Sequence, residues 1–417
     1  MSLLRSSAYT GIATLSKLSA ALVVLKLVAV YAGPQGVGRF GQLLALMSVL
    51  AVLASGGIAA GTVKYVAEYR KDVAMLTPLL GAALWYIGCA SLVVAASVLL
   101  LSAPLSDWLF SDRSYQAVIC VLALAQIGIA LMTYLLSVIN GFSDVRGLAV
   151  VQVGGSVLSV LIVVYACSRW QLQGVLVAWV MGQLSWLAAC VPALWRSSYF
   201  SSAMLSIKYD AKMVRKLSAF SIMTLTSTLV PQLSFMLVRD HLAERFGWQY
   251  VGYWQAVTRV SDAYLLFFTT VINVYYLPRL ASIHGRDVLV RELRNAYCYL
   301  IPAVIISALA VYVCREWITE LLFDAEFSEA VSLYGPQLMG DVVKIAAFIL
   351  SYVMLAKAMT RVFIVSEFVF AATYVLLVSL LSVHYGVIGA MYAFAINYVL
   401  YLLFNLVVVR RYLGGSA

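Results

Sequence analysis

Residues 251–278 read VGYWQAVTRVSDAYLLFFTTVINVYYLP, an apolar run that contains one arginine and one aspartate in its first half. A helix that rises about 1.5 Å per residue crosses the roughly 30 Å hydrocarbon core of a bilayer in about 20 residues, so this run is long enough to span a membrane. Because an ion inside such a span is costly, we expect Arg259 and Asp262 to face protein or water rather than lipid. Their i, i+3 spacing places them on one face of the helix, where they can neutralise each other.

The whole chain has the composition of an integral membrane protein. Of its 417 residues, 64% are hydrophobic and only 11% are charged, whereas a soluble domain has about 25% charged residues. The first apolar run has no small-residue cleavage pattern, so we expect it to remain as a membrane helix rather than to be removed as a signal peptide. Twelve apolar spans predict an all-α membrane fold, and they cover residues 7–31, 42–64, 78–102, 117–139, 148–167, 174–195, 217–238, 253–277, 295–314, 336–356, 362–383 and 390–409.

The start of the 251–278 stretch has a counterpart earlier in the chain. VGYW at 251–254 resembles VGRF at 37–40, which lies 214 residues before it. An offset of 215 relates Gly174, in the sixth span, to Gly389, in the twelfth. A shared offset in separate regions predicts two homologous halves of six spans, and because six is an even number the halves form a parallel repeat.

This repeat predicts a division of the chain into three parts. We expect an N-terminal lobe at 1–195, a cytoplasmic connection at 196–216 and a C-terminal lobe at 217–417. Two pseudo-symmetric lobes of six helices each are then expected to surround a central cavity, which is the natural path for transport.

The basic residues outside the spans are distributed unequally between the two sides of the membrane. We count eighteen on the side of the two termini and six on the other side, namely Arg39, Arg113, Arg169, Arg239, Arg245 and Arg315. Because positive charge accumulates in cytoplasmic loops, both termini are predicted to be cytoplasmic. The net charge of +10 follows from this topology and requires no nucleic-acid partner.

Four basic residues lie within the predicted spans: Lys17, Lys26, Arg259 and Lys344. Lys17 lies about ten residues into the first span, near the middle of the membrane, and is expected to line a cavity. Lys26 points the opposite way on a straight helix and lies close enough to the outer end for its ammonium to reach the interface.

The acidic residues of the C-terminal half repeat the pattern of the 251–278 stretch. Asp341 and Lys344 are again spaced i, i+3, as are Arg259 and Asp262. Either both pairs belong to a transport site, or they are self-satisfied ion pairs that only hold helices together. Glu367, in the eleventh span, has no obvious partner in its own helix other than Lys357 or Arg361 across the span boundary.

The sequence contains no pattern typical of a metal, cofactor or catalytic site. His241, His284 and His384 are far apart, and the six cysteines have neither metal-ligand spacing nor a disulfide framework. No pairing of a nucleophile with a base is recognisable. We therefore predict a protein without cofactor or bound metal.

Several segments together resemble a known family. They are VGYWQAVTRVSDAYLLFF (251–268), VYYLPRL (274–280), QLMGDVVKIAAF (337–348), AKAMTRVFIVSE (356–367) and GIAAGTVKYVAEY (57–69). They are similar to the Wzx-type lipid-linked oligosaccharide flippases, the O-antigen and enterobacterial common antigen lipid III translocases. These belong to the polysaccharide transporter family of the MOP superfamily, in which twelve helices form two lobes.

The resemblance implies transfer of an undecaprenyl-diphosphate-linked oligosaccharide from the cytoplasmic to the periplasmic leaflet of the bacterial inner membrane. The polymerase and chain-length regulator of the same pathway are implied partners. The cations that would bind the diphosphate are Lys17, Arg259, Lys344, Lys26 and Lys64. An incoming diphosphate would compete for Arg259 and Lys344 and favour protonation of nearby carboxylates, so Asp262, Asp341 and Glu367 are candidates for proton coupling in an antiport cycle.

Two other functions remain open at this point. A drug or cation exporter of the same superfamily would have a similar fold but an acidic site, whereas the buried charges of the N-terminal half are lysines. A membrane-embedded polysaccharide polymerase or ligase would place catalytic residues in a large periplasmic loop. The longest candidate loop has about 20 residues.

Overall fold

The computed structural model describes residues 3–197, 199, 206–283 and 285–414, and the side chains of all of these except 3–8, 220, 222 and 223. In this part of the chain every regular element is a helix. His284, and residues 198 and 200–205 of the predicted connection at 196–216, lie outside the described residues. The helices are α1 (Leu3–Ala54), α2 (Ala59–Tyr69), α3 (Val73–Leu100), α4 (Ser102–Phe110), α5 (Gln116–Gly141), α6 (Val145–Cys167), α7 (Leu172–Trp195), α8 (Ala211–Phe246), α9 (Trp248–Val271), α10 (Leu277–Ser282), α11 (Arg286–Val313), α12 (Arg315–Leu322), α13 (Tyr334–Ala356), α14 (Thr360–Tyr385) and α15 (Ile388–Gly414).

The described helices account for the predicted spans. Ten segments are long and apolar enough to cross a membrane, and α8 adds an eleventh if its two parts, bent by 48°, form one span. The apolar part of α1 has 46 residues, roughly 70 Å of helix at about 1.5 Å per residue, which is twice the thickness of a bilayer core. Since α1 is broken at Gly33, which has φ 60° and ψ −166°, it provides two spans, and the total is twelve if α8 counts as one span.

The first two connections differ from the sequence prediction. The predicted outer loop at 32–41 is helical from Pro34 onward, because proline suits the first turn of a helix and Gly33 supplies the left-handed turn before it. The predicted second span at 42–64 ends at Ala54 instead. Gly56 and Gly57, with φ of 60° and 68°, turn the chain there, and α2 follows as a separate short helix.

The chain divides into two compact units with the same internal packing. Unit 1 consists of Met1–Ala32 and Gln42–Leu233, and unit 2 of Gly33–Gly41 and Ser234–Ala417. In unit 1, α3 packs on α5, α5 on α7 and α6 on α7; in unit 2, α11 packs on α13, α13 on α15 and α14 on α15. The start of α6 at Val145 corresponds to that of α14 at Thr360, 215 residues later, in agreement with the offset in the sequence.

The two matching motifs of the repeat contact each other inside unit 2. Gly38 lies so close to α9 that a Cβ atom there would be 3.3 Å from the Cβ of Val251 and 2.8 Å from the Trp248 carbonyl oxygen. Gly252 in turn faces the carbonyl group of Pro34 with no room for a side chain. The glycines of VGRF and VGYW are therefore needed for a close crossing of residues 33–41 over α9.

The 251–278 stretch is helical throughout but changes its winding near the end. Residues 272–276 form one wide π-type turn between α9 and α10. Pro278 follows at the start of α10, and because proline has no N–H, it leaves a carbonyl of the preceding turn without its usual donor. The wide turn accommodates this position without ending the helix.

Tyr199 attaches the described part of the connection to unit 1. Its hydroxyl donates a hydrogen bond to Asp144 at 2.9 Å, and its ring stacks on Phe142 with ring centres 4.2 Å apart. Burial and the hydrogen bond to Asp144 raise the pKa of the Tyr199 phenol above its ordinary value. Asp144 also accepts a hydrogen bond from the Gly147 N–H at the start of α6, so one carboxylate holds two segments together.

The predicted topology leads to a labelling experiment. Cysteines introduced at Lys208 and Asp287, which are exposed, are expected to react with a membrane-permeant reagent only. Cysteines at Glu244 and Glu320, also exposed, are expected to react with an impermeant reagent added to intact cells. Reaction of the Lys208 position with the impermeant reagent would reverse the predicted orientation of the whole chain.

Candidate functional site

The ion pair predicted in the 251–278 stretch is present on α9. Arg259 Nη1 lies 3.5 Å from Asp262 Oδ2, and the side chains are 31% and 58% exposed, respectively. The i, i+3 spacing on one helix face produces this contact directly. Because both groups remain partly exposed, the pair can open towards an incoming ligand.

The second predicted pair does not form. Asp341, on α13, is fully buried, and its carboxylate accepts hydrogen bonds from the Tyr264 hydroxyl at 2.9 Å and from Gln337 Nε2 at 3.0 Å. Its neighbour Lys344 does not approach it within ion-pair distance. The interpretation of Asp341 and Lys344 as a self-satisfied pair is therefore wrong, because Tyr264, on a different helix, takes the place of the lysine.

Lys344 is directed into a group of aromatic rings instead. Its ammonium lies 5.9 Å from the ring centre of Phe348, 5.7 Å from that of Phe394 and 5.8 Å from that of Tyr398. Phe394 and Tyr398 belong to α15, which packs along α13. Contact with ring faces stabilises a cation without neutralising it, so the positive charge of Lys344 stays available to an anion.

Arg239 is a buried cation that the sequence analysis assigned to the periplasmic side. α8 continues to Phe246, two turns beyond the predicted end of the span, and the Arg239 side chain is only 4% exposed. Its Nε donates to Gln255 Oε1 at 3.0 Å, and its guanidinium lies 5.2 Å from the Trp254 ring centre. The polar residues around it resemble a loop in sequence, so no local pattern indicated its burial.

The charged groups of α8, α9 and α13 form one cluster in unit 2. Arg239 interacts electrostatically with Arg259 and Asp262, and Lys344 interacts with Asp262 and Asp341. We call Arg239, Arg259, Lys344, Asp262 and Asp341 the unit 2 charge cluster. Three cations against two acids, in surroundings of low polarity, favour the binding of an anionic group.

The remaining predicted cations lie in unit 1. Lys17 is exposed on the first part of α1, with its ammonium 5.9 Å from the ring centre of Trp186 on α7. Lys26 is half-buried on the same helix. Lys64 is exposed on α2, 5.3 Å from the ring centre of Tyr65. These lysines are therefore not part of the unit 2 charge cluster.

Glu367 is half-buried on α14 and forms no hydrogen bond or ion pair with the residues that the structure describes. One expected partner, Lys357, instead donates hydrogen bonds to the carbonyl groups of Leu280, at 3.0 Å, and Ile283. Glu367 interacts electrostatically with Tyr398 and Tyr401. Among the described residues, no group of three or more His, Cys, Asp or Glu could hold a metal ion.

Comparison with known proteins identifies the family. Residues 3–284 match the family described as polysaccharide biosynthesis protein. The chain is 31% identical over 401 residues to the lipid III flippase of Escherichia coli (strain K12), an alignment that covers 96% of each protein. The lipid III flippase of Shigella flexneri matches to the same extent.

Solved structures agree on the fold. An inward-facing multidrug resistance MATE family transporter of the MOP superfamily aligns with a TM-score of 0.77 at 15% identity, covering 99% of this chain and 98% of that one. The lipid II flippase MurJ, in an inward closed conformation, aligns with a TM-score of 0.75 at 12% identity, covering 98% of this chain and 87% of that one. The chain therefore belongs to the polysaccharide biosynthesis protein family, is a relative of the lipid III flippases and has the fold of the MOP superfamily transporters.

Proposed function

We propose that this protein is a flippase for an undecaprenyl-diphosphate-linked oligosaccharide. It would carry the glycolipid from the cytoplasmic to the periplasmic leaflet of the bacterial inner membrane, exposing its binding site to each leaflet in turn. The observation that carries the proposal is the match to lipid III flippases along almost the whole chain. The repeat unit would be of the common-antigen or O-antigen type.

The charges inside the membrane support a substrate of this class. A diphosphate that crosses the hydrocarbon core needs cations to replace water, while its polyprenyl tail can stay in lipid. Arg259 and Lys344, together with the buried Arg239, concentrate positive charge in unit 2. In unit 1, Lys17 would contribute a further cation for the diphosphate, and Lys26 would do so from the outer part of the same helix.

The alternatives have less support. The relatives are named flippases and transporters rather than enzymes, and the chain is a transporter rather than a polymerase or ligase. Likeness to a MATE transporter at 15% identity concerns the fold alone. An exporter of cationic drugs would also need an acidic site, whereas cations outnumber acids in the unit 2 charge cluster.

A transport assay tests the proposed function directly. Proteoliposomes that contain the purified protein and a fluorescent undecaprenyl-diphosphate-linked oligosaccharide are expected to transfer the lipid between leaflets faster than protein-free liposomes. A matched assay with a cationic dye tests the exporter alternative. Transport of the dye without transfer of the glycolipid would contradict the flippase proposal.

Asp341 is our proposed proton carrier, with Asp262 and Glu367 as further candidates. The carboxylate of Asp341 is buried with two neutral donors, so it can gain a proton without breaking an ion pair. A diphosphate bound near Lys344 would add negative charge and favour protonation, and its release would reverse the effect. Outward movement of substrate could then be exchanged for inward movement of protons.

Asp341→Asn is expected to bind the glycolipid but to lose most of its dependence on the proton gradient. Asparagine keeps the size of the side chain and one acceptor oxygen, and its NH2 group imitates the protonated acid, but it carries no titratable proton. The measurement is leaflet transfer in proteoliposomes with and without an imposed gradient, with Asp287→Asn, an exposed position on α11, as the control. If Asp341→Asn, Asp262→Asn and Glu367→Gln all keep the full response to the gradient, the three carboxylates have a structural role only.

The chain-length regulator and the polymerase of the same pathway are the partners we propose for the exported glycolipid. Their role would be to consume it in the periplasm. Co-purification from cells that express tagged copies of all three tests direct association.

A further inference from the structure

Two lysines from different helices of unit 1 converge on one aromatic ring. Lys216, on α8, donates a hydrogen bond to the Tyr69 hydroxyl at 2.8 Å and lies 5.7 Å from the ring centre of Tyr65. Lys64, on α2, lies 5.3 Å from the same ring centre. Both ammonium groups are thus within 6 Å of the centre of Tyr65. We call Lys64, Tyr65, Tyr69 and Lys216 the lysine–tyrosine cluster.

The packing of α2 holds this cluster in place. Val66 packs against Gly141 of α5, where a Cβ atom would come within 2.6 Å of the valine side chain. This contact fixes the rotation of α2 and leaves Tyr65 and Tyr69 on the neighbouring face, stacked with ring centres 6.0 Å apart and planes inclined by 15°. Asp210, whose carboxylate accepts hydrogen bonds from the first turn of α8, sets the position of Lys216 one turn further along.

The electrostatics of the cluster favour an anion. Two like charges held near one ring repel each other, and a group with two negative charges between them would remove that repulsion. Lys216 forms no ion pair with any acidic residue that the structure describes. Glu68, an exposed residue of α2, interacts with it electrostatically.

An apolar pocket opens in unit 1, formed mostly by α3 together with one residue of α8 and the turn before α2. It has a volume of about 430 Å³ and is lined by residues that include Gly56, Trp85, Ala90, Val93 and Leu225. Leu225 follows Lys216 by nine residues on α8, beyond the 48° bend between Ala219 and Thr224. Gly56 lies in the turn that leads into α2. A cationic group and an apolar pocket that share α8 and are joined by the turn into α2 suit a lipid with a phosphorylated head.

We propose that the lysine–tyrosine cluster and this pocket form a docking site for a polyprenyl diphosphate. Lys64 and Lys216 bind the diphosphate, and the pocket takes the first isoprene units. The site rests on the proposed flippase function and differs from the unit 2 charge cluster in every residue. It would receive the lipid on the side that charge predicts to be cytoplasmic.

The part of the site that binds the diphosphate is tested by titration calorimetry, which measures the binding of undecaprenyl diphosphate to the purified full-length protein in detergent. Lys216→Ala and Lys64→Ala are each expected to raise the Kd by about ten-fold or more, the effect of losing a charged hydrogen-bond donor to phosphate. Lys212→Ala is the control, because Lys212 is an exposed lysine one turn earlier on α8, and it should change the Kd by about two-fold or less. Lys216→Arg should retain binding.

The same calorimetry with phosphatidylglycerol tests whether the site prefers a polyprenyl diphosphate to the head group of an anionic phospholipid. The proposal expects weak binding of phosphatidylglycerol and no displacement of undecaprenyl diphosphate by it. Equal affinity and full competition would overturn the proposal, since the site would then serve anionic phospholipid head groups. The thermal midpoint of each lysine variant shows whether it is folded. Because Lys64 and Lys216 lie on different helices, a folding defect in one variant leaves the other variant to test the binding site.

A photoreactive polyprenyl diphosphate, with a diazirine on its third isoprene unit, tests the tail of the site. Crosslinks are expected on residues 85–94 of α3 and on Leu225, and Ala90→Phe, which fills the pocket, should remove most of them. Ala96→Phe is the control, because Ala96 is exposed on the same helix outside the pocket. Crosslinks that are unchanged by Ala90→Phe would overturn the assignment of the pocket.

The transport assay and the binding assay distinguish a failure of the docking site from a failure of the proposed flippase function. If wild-type protein transfers the glycolipid in proteoliposomes and both lysine variants bind undecaprenyl diphosphate like wild type, the docking site is wrong and the flippase proposal stands. If wild-type protein transfers no glycolipid, the proposed function fails and the docking site loses its premise.

Discussion

Arg259→Glu is expected to abolish export of the lipid-linked glycan while the protein remains folded in the membrane. The substitution places two carboxylates side by side on α9, because Asp262 lies 3.5 Å from the present guanidinium. A diphosphate that approaches the unit 2 charge cluster would then meet two negative groups where it now meets one ion pair. Losing a close charge contact costs about 2–5 kcal/mol, so we expect transfer rates to fall by about two orders of magnitude or more.

Lys17→Glu is expected to have a similar effect from unit 1, whereas Lys17→Arg should keep part of the activity. A phosphate held as a point charge requires charge and reach more than one particular geometry. The measurements are surface polysaccharide in cells and leaflet transfer in proteoliposomes. Arg291→Glu, at an exposed position on α11, is the control for the change in net charge.

A charge exchange separates transport from packing. The double variant with Arg259→Glu and Asp262→Arg keeps an ion pair on α9 but moves its positive charge by nearly one helical turn. If the pair serves transport, the exchange should restore protein stability but not export. Normal export by the exchanged variant, or by both single charge reversals, would show that the pair only stabilises the helix packing.

Gly252→Val is expected to destabilise the protein strongly. Gly252 faces the Pro34 carbonyl with no space for a Cβ atom, and a backbone group cannot move aside as a flexible side chain would. Overpacking of this kind costs about 1–3 kcal/mol and occasionally more. We expect a lower thermal midpoint and less protein in the membrane fraction.

Gly88→Val is the matched control for the crossing. Gly88 lies within α3, and a Cβ atom there would meet nothing within 4 Å. Both variants carry the same loss of glycine and gain of valine within a helix, so the difference between their thermal midpoints reports the crossing alone. Equal midpoints for Gly252→Val and Gly88→Val would contradict the close contact of residues 33–41 with α9.

The spans and the repeat were accessible from the sequence because each depends on short-range or one-dimensional information. A membrane helix requires a continuous apolar run of a minimum length, and a duplication leaves a constant offset between matching positions. The π-type turn at 272–276 and the early end of the second helix at Ala54 were missed. Both occur inside apolar runs, where hydrophobicity continues although the winding or direction changes.

The sequence indicated four members of the unit 2 charge cluster, but it predicted the partner correctly for only one of the two spaced pairs. Arg259 and Asp262 are paired as predicted because their spacing on one helix decides the contact. Asp341 has the same spacing from Lys344, yet it binds Tyr264, 77 residues away. Which of two neighbours a side chain meets depends on the rotation of α13 against α9 and α15, which spacing along one helix does not contain.

The amino-acid sequence by itself therefore determined that this is a helical membrane protein with a duplicated plan and cations inside its spans, because length, polarity and periodicity carry that information. Only the tertiary structure decided that Arg239 is buried beside Gln255, that the two glycine motifs cross, and that Lys64 and Lys216 meet at one ring. These contacts join residues that are distant along the chain. They arise from the way helices turn and pack, since burial in a bilayer favours apolar surface in general and does not select one partner over another.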